Sequence, residues 1–281
     1  MSHQPDYFPI LGIHEFAEQQ AQGCDLLFNE LSGARSIDEP HKHDFFIINL
    51  FERGIGNHSI DFIEYPITDH QVHLVFPDQV HQWIIEKETV AYQLMISRDW
   101  FESFLPALRF SSSYYVHHPA FTVSEEIFRL LRHEFQAIKK ELNAENIFWE
   151  LIKKRSELIG LLVSKSVEFA FKDFEVYQSN PIISKFLNLI DEQFKTQRSV
   201  SFYAGQLNIS ANYLNIVCKK NLNASASSLI QNRILLEAKR LLKVSEMSVK
   251  DIVYDLGFYD HASFSKFFKM QTGMTPSKFK E

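Results

Sequence analysis

The stretch Ser248–Phe279, SVKDIVYDLGFYDHASFSKFFKMQTGMTPSKF, decides how the last third of the chain folds. Ser248 is placed to cap a helix over Val249–Leu256, and Gly257 can end it in the left-handed conformation that ordinary residues avoid. Asp260 then caps a second helix from His261 to Met270, and Gly273 with Pro276 stops the run. Two capped helices joined by a short glycine turn form a helix-turn-helix pattern.

Reading back toward the N-terminus, the pattern occurs once more. Ser201 reads as the cap of Phe202–Leu207, and Asn208-Ile209-Ser210 as a tight turn in which Asn208 takes the left-handed conformation. Ser210 caps Ala211–Asn221, which buries Leu214, Val217 and Cys218. The two units lie about 49 residues apart, counted from Ser210-Ala211 to Tyr259-Asp260, with a longer helix over Ala226–Leu242 between them. Ile182–Phe194 precedes them as a further helix, which Asn180-Pro181 opens.

These residues resemble the AraC/XylS family. Asn232–Leu242 (NRILLEAKRLL) is similar to its linker helix, Val249–Phe258 to the scaffold helix of its second unit, Asp260–Lys269 to the recognition helix, and Gly273–Phe279 to its closing motif. The resemblance covers about the last hundred residues, and it implies a DNA-binding domain over 181–281. Four positions depart from the pattern. Val253 stands for a usual Ala, Asn223 lies near a usual Gly, Cys218 replaces a usual Phe, and Ile216 stands where Arg is frequent. The first unit is therefore expected to read DNA more through apolar contact with thymine methyls.

The second helix of such a unit enters the major groove while phosphate contacts fix its register. Asn212, Asn215 and Ile216 are the expected base contacts of the first unit, and His261, Ala262, Ser263 and Lys266 those of the second. Asn offers a bidentate match to adenine N6/N7, and the Lys266 ammonium a match to guanine O6/N7. Ser210, Lys219, Lys220, Lys250 and Lys269 are read as phosphate contacts. Charge agrees: residues 181–281 hold 14 Lys+Arg against 8 Asp+Glu, whereas residues 1–180 hold 15 against 27.

Upstream, the period changes. Ser124-Glu125-Glu126 opens one amphipathic helix, and a second runs over about 146–171 with more apolar residues than one buried stripe needs. Residues 121–173 are expected to form a helical dimerisation region, with Leu158 or Leu162 in the seam, and 174–180 a linker. From 21 to 120 the chain reads as short strands: Cys24–Phe28, Asp44–Phe51, Ser59–Tyr65, Gln71–Phe76, Trp83–Ile85 and Ala91–Ser97. Residues 1–20 form an apolar arm, broken by Pro5 and Pro9, that could close over a barrel mouth.

His41-Lys42-His43 and Pro77–His81 resemble the two signature regions of a cupin barrel, which many AraC-type regulators carry at their N-terminus. In metal-binding cupins these histidines hold a divalent ion together with a Glu. Here Ile47 and Ile48 occupy that region, so no metal or other cofactor is expected. The histidines are instead expected at a ligand pocket, with His41, His43, Phe45, Ile47, His81, Trp83 and Tyr92 as its wall and Ile85 and Leu94 as further candidates.

The whole is an α+β chain of two domains: a cupin-like β-barrel with following helices, then an all-α double helix-turn-helix. With 281 residues, 45% hydrophobic and 23% charged, it needs no disulfide, and Cys24 and Cys218 form no CxxC pair. No leader and no apolar run of membrane-spanning length is legible, so a cytoplasmic, nucleoid-associated location is expected. The sequence holds no GxSxG, P-loop or dinucleotide fingerprint, so it is not read as an enzyme. The expected function is a sequence-specific transcriptional regulator answering a small-molecule effector. Its partners would be double-stranded DNA, that effector, a second copy and, in addition, RNA polymerase. The alternative is a metal-dependent cupin enzyme fused to a DNA-binding domain.

Overall fold

A computed structural model describes residues 10–13, 25–108, 112–171 and 180–281. Cys24, most of the expected arm and the linker residues 174–179 lie outside the described residues. The chain forms two compact units, one holding the described residues up to 171 and the other those from 180 onward.

The first unit is built from β1 (Ile10–Leu11), β2 (Leu26–Ser32), β3 (Arg35–His43), β4 (Phe46–Arg53), β5 (Gly56–Ile60), β6 (Ile63–Ile67), β7 (Gln71–Val75), β8 (Val80–Ile85), β9 (Val90–Ile96) and β10 (Ala120–Thr122). They form two five-stranded sheets, ordered β1-β3-β8-β5-β6 and β10-β7-β4-β9-β2, in which β1 beside β3 is parallel and the other pairs are antiparallel. Ile13, Leu27, Phe45, Ile47, Ile60, Val75 and Met95 form one apolar cluster between them, and Leu31, Phe51, Ile67, Trp83, Ile85 and Ala91 a second. Gly56 is fixed by contact: a Cβ there would collide with the Ile84 carbonyl oxygen.

Two expectations on the strands are corrected. β3 was not anticipated, because RSIDEPHKH is polar and contains Pro40. It tolerates the proline at a shift of register between Ile37 and His41. Ser59–Tyr65 is not one strand. Asp61 and Phe62 both take positive φ, 50° and 67°, and turn the chain into the β5–β6 hairpin. The Asp61 carboxylate holds that turn by accepting from Gln79 Nε2 at 2.6 Å.

Helices cover the outer face of the second sheet and one end of the unit: α1 (Arg98–Phe104), α2 (Ser112–His117), α3 (Glu125–Leu142) and α4 (Trp149–Ala170). Ser124 caps α3, accepting from Ile127 N–H. Phe135 of α3 meets the rings of Phe28 and Tyr92 on the outer face of the sheet. Arg155 of α4 donates to Glu134 of α3 at 2.6 Å. α4 buries Ile152, Ile159, Gly160, Val163 and Val167, but leaves Leu158 41%, Leu161 46% and Phe169 82% exposed.

The second unit is helical: α5 (Pro181–Gln193), α6 (Val200–Gln206), α7 (Ala211–Leu222), α8 (Ala226–Val244), α9 (Val249–Asp255), α10 (His261–Thr272) and α11 (Pro276–Lys280). α6 begins before the expected cap: Ser199, not Ser201, accepts from Phe202 N–H. Pro276 opens α11 under a Thr275 cap rather than merely ending the run. Asn223 ends α7 at φ 51°, doing at that C-cap what Gly273 does after α10. The core is aromatic and aliphatic, including Phe186, Tyr203, Leu214, Ile234, Ile252, Phe264 and Phe268. Arg198 ties the 195–198 loop to the second half by donating to the Leu256 carbonyl and lying 3.7 Å from the Phe258 ring centre.

Candidate functional site

The space between the two sheets holds a cavity of about 520 Å³, lined by Asn29, Leu31, Arg35, Ser36, Ile37, His41, His43, Ile47, His81, Trp83, Gln93 and Met95. Side chains alternate along a strand, so pairing decides which ones face it. Leu27, Ile47 and Met95 are cross-strand partners facing inward, as are Asn29, Gln93 and Asn49. Asn29 Nδ2 donates to Gln93 Oε1 at 3.1 Å, and Gln93 Nε2 to Asn49 Oδ1 at 2.9 Å, so a polar ladder crosses the apolar wall.

Of the expected wall, His41, His43, Ile47, His81 and Trp83 line this cavity; Phe45 and Tyr92 do not. Phe45 is packed in the apolar cluster and lies against the His43 ring. Tyr92 has the opposite parity and donates to Glu52 at 2.6 Å, under α3. Ile85 packs in the second cluster, and Leu94 is buried opposite Phe28 and Ile48.

His41, His43 and His81 each bring a ring nitrogen within 4.8 Å of the others, the spacing of a metal set. The Nε2 atoms of His43 and His81 lie 2.8 Å apart, as in a shared hydrogen bond, and Nδ1 of His81 is 3.0 Å from Nε2 of His58. A metal held by the Nε2 atoms of His43 and His81 would replace their mutual hydrogen bond and leave His81 Nδ1 on His58, and the carboxylate position of the metal-binding cupins holds Ile47 and Ile48 here.

The structure adds two histidines that the sequence did not flag. His58 and His73 place their Nδ1 atoms 3.0 Å apart, and His73 Nε2 lies 3.1 Å from Gln71 Oε1. Burial, together with neighbouring imidazoles, pushes His43 down to about 3 and holds His58 and His81 well below the usual histidine range. Burial also pushes His73 down to about 3, and it lowers His41.

On the helical unit, α7 exposes Asn212, Ile216, Lys219 and Lys220, with Ser210 at its cap. Asn215, the other expected base contact of this helix, is half-buried, and its Oδ1 accepts from Ala226 N–H at 3.0 Å and fixes the start of α8. Tyr213, 48% exposed, sits three residues before Ile216 and so shares its face. In α10, His261, Ala262, Ser263, Lys266 and Lys269 are exposed, as is Lys250 in α9. Asp260 caps α10, accepting from Ser263 N–H at 2.7 Å, so residues 261–263 form its first turn. Burial pushes the Cys218 thiol up to about 11, which leaves it an inert part of the core.

A sheet unit with a lined cavity and a helical unit with two helix-turn-helices define a ligand-sensing DNA-binding protein. Residues 31–152 match the AraC-like ligand binding domain, and residues 203–281 match a helix-turn-helix domain. The chain thus joins an AraC-like ligand binding domain to a helix-turn-helix domain, the make-up of AraC-type regulators, and its match spans about half the length of the first curated relative below. The Msm operon regulatory protein of Streptococcus mutans is 31% identical over 129 residues, 44% of this chain and 46% of that protein. The HTH-type transcriptional activator RhaR of Shigella dysenteriae is 21% identical over 252 residues, 85% of this chain and 86% of that one. Among solved structures, ToxT of Vibrio cholerae aligns over 91% of this chain and 97% of its own, with 15% identity and a TM-score of 0.45. Among the described residues, no helix is long and apolar enough to cross a membrane.

Proposed function

We propose that this chain binds a specific operator through α7 and α10, and that a small organic molecule held in the cavity between the sheets modulates its effect on transcription. The cavity carries this reading: about 520 Å³ of apolar wall with a few convergent polar groups is the make-up of a small-molecule site. Asn212, Tyr213, Ile216, His261, Ala262, Ser263 and Lys266 meet base edges; Ser210, Lys219, Lys220, Lys250 and Lys269 meet phosphates. The protein performs no chemistry on its ligand and works in the cytoplasm on the nucleoid, with RNA polymerase as a further partner. The domains act over 21–120, 121–173 and 181–281, with 1–20 as an arm and 174–180 as a linker. The test is footprinting of bound genomic DNA in cells with Ile47→Trp, which fills the cavity, beside the parent protein. Unchanged occupancy and unchanged transcription at every site would refute the effector reading.

The functional unit is a homodimer through α3 and α4. The exposed Leu158, Leu161 and Phe169 support this, since α4 carries apolar surface beyond its buried face. Leu158→Glu and Leu161→Glu are expected to give monomers and to weaken binding to two-site operators. Unchanged mass by light scattering for both variants would refute it.

A further inference from the structure

The buried histidines are joined end to end. From the cavity inward the order is His43 Nε2 to His81 Nε2 (2.8 Å), His81 Nδ1 to His58 Nε2 (3.0 Å), His58 Nδ1 to His73 Nδ1 (3.0 Å) and His73 Nε2 to Gln71 Oε1 (3.1 Å). Gln71 Oε1 also accepts from the Thr68 backbone N–H at 2.9 Å. A backbone N–H can only donate, so this contact fixes which end of the Gln71 amide is oxygen.

The direction of every link then follows. An amide oxygen can only accept, so His73 carries its hydrogen on Nε2 and a lone pair on Nδ1. A neutral imidazole has one donor and one acceptor. His58 must therefore donate from Nδ1, His81 from Nδ1 and His43 from Nε2, which leaves the lone pair of His43 on Nδ1. One backbone N–H sets the tautomer of four side chains reaching to the cavity wall.

The anchored end touches the start of α3. His70, beside Gln71, accepts from Val123 N–H through its carbonyl at 2.8 Å. Its ring lies 3.2 Å from Glu125 Oε2 and stacks on Phe128 with centres 4.2 Å apart. Asp69 of the same turn accepts from Gly54 N–H at 2.9 Å. The relay thus spans the unit from the cavity to the turn that braces the first turn of α3.

We propose that Gln71, His73, His58, His81 and His43 form a directional, bistable hydrogen-bond relay that couples the cavity to the N-terminus of α3. Its biological use rests on the effector reading above; its existence does not. In the reversed state each link passes one proton to its neighbour. One proton is gained at Nδ1 of His43 and one is lost from Nε2 of His73; both atoms are buried, so each exchanges with water when the unit opens locally, and the net charge is unchanged. Gln71 must then turn its amide to donate to His73, and Thr68 N–H loses its acceptor. A cavity occupant that favours one tautomer of His43 thereby biases the turn against α3.

The experiment is long-range ¹H–¹⁵N NMR on the full chain with ¹⁵N-labelled histidine, at neutral pH and without ligand. Hydrogens are expected on Nε2 of His73 and His43 and on Nδ1 of His58 and His81. The opposite tautomer at any of the four overturns the relay. In Gln71→Met the anchor is gone, and His81 and His43, up to four links away, are expected to become tautomer mixtures. The amide resonances of 125–128 are expected to shift with them. A change confined to His73, or unmoved α3 resonances, overturns the coupling, and the wild-type tautomers decide the matter should this variant not fold. Failure of Ile47→Trp to alter transcription would remove the effector reading and leave these tautomers untouched.

Discussion

The two units solve opposite problems with their interiors. Between the sheets lie His41, His43, Asn49, His58, His73, His81 and Gln93, all buried. In the helical unit Arg240 is the buried polar side chain among the described residues, and the centre is aliphatic and aromatic. A cavity that is to recognise something must hold polar groups inside and satisfy each of them there. A domain that works on its surface can keep its polar groups outside and fill its core for stability alone. The polar interior carries a cost: groups held neutral by burial make the sheet unit sensitive to pH in a way the helical unit is not.

Acid should expose that difference most strongly. The folded-state pKa values of His41, His43, His58, His73 and His81 all lie below the ordinary value. The unfolded chain gains protons below about pH 6.5 while the folded one does not, so stability is full above that pH and falls as pH drops toward the folded values. Each histidine contributes up to about 1.4 kcal/mol per pH unit, and a combined loss of roughly 5 kcal/mol is expected by pH 5.5. Trp83, Trp100 and Trp149 all lie in the first unit, so their emission in urea follows it alone. An unchanged urea midpoint between neutral pH and pH 5.5 would break the comparison.

Truncating the other core should do the reverse. Phe264 is fully buried against Phe258 and Phe268. Phe264→Ala is expected to cost about 3–5 kcal/mol and abolish DNA binding, while tryptophan emission keeps its parent midpoint. A shifted tryptophan midpoint would show that the two units do not unfold independently.

Surface changes on the helical unit should be smaller and sort by role. Lys266→Ala is expected to cost about 1–3 kcal/mol on operator DNA and to relax preference at one position. Lys269→Ala should weaken operator and scrambled DNA alike and reduce the salt slope by about one unit. If Lys266→Ala weakens both DNAs equally across a salt series, it is a phosphate contact. Ser210→Ala, which removes the cap of α7, should cost about 1 kcal/mol of stability by urea titration and leave the tryptophan signal unmoved. A cost near zero would mean that the α7 start is held by packing alone.

Legibility in the sequence followed the same division. In the helical unit, caps and periodicity are local, so Ser210, Ser248 and Asp260 mark their helices directly. Errors there were local too: Ser199 and Ser201 are equally good caps on paper, and packing chose the first. In the sheet unit the errors concerned pairing. The alternation through Ser59–Tyr65 ran straight across a hairpin turn, and the parity of Tyr92 was settled only by its register with Glu30 and Leu50. Asn215 looked outward by spacing, but the arrival of Ala226 claimed its oxygen.

The sequence by itself determined the two-unit plan, the helix-turn-helix repeat and the family resemblance, because each is written in contiguous residues whose capping, periodicity and motif spacing act over a few turns of chain. Only the tertiary structure decided which strand faces line the cavity, and only it joined His58 and His73 to His81 and His43. Those four come from four different strands, β5, β7, β8 and β3. Their hydrogen bonds depend on register and on the facing of two sheets, and neither is encoded in the local alternation of any one strand.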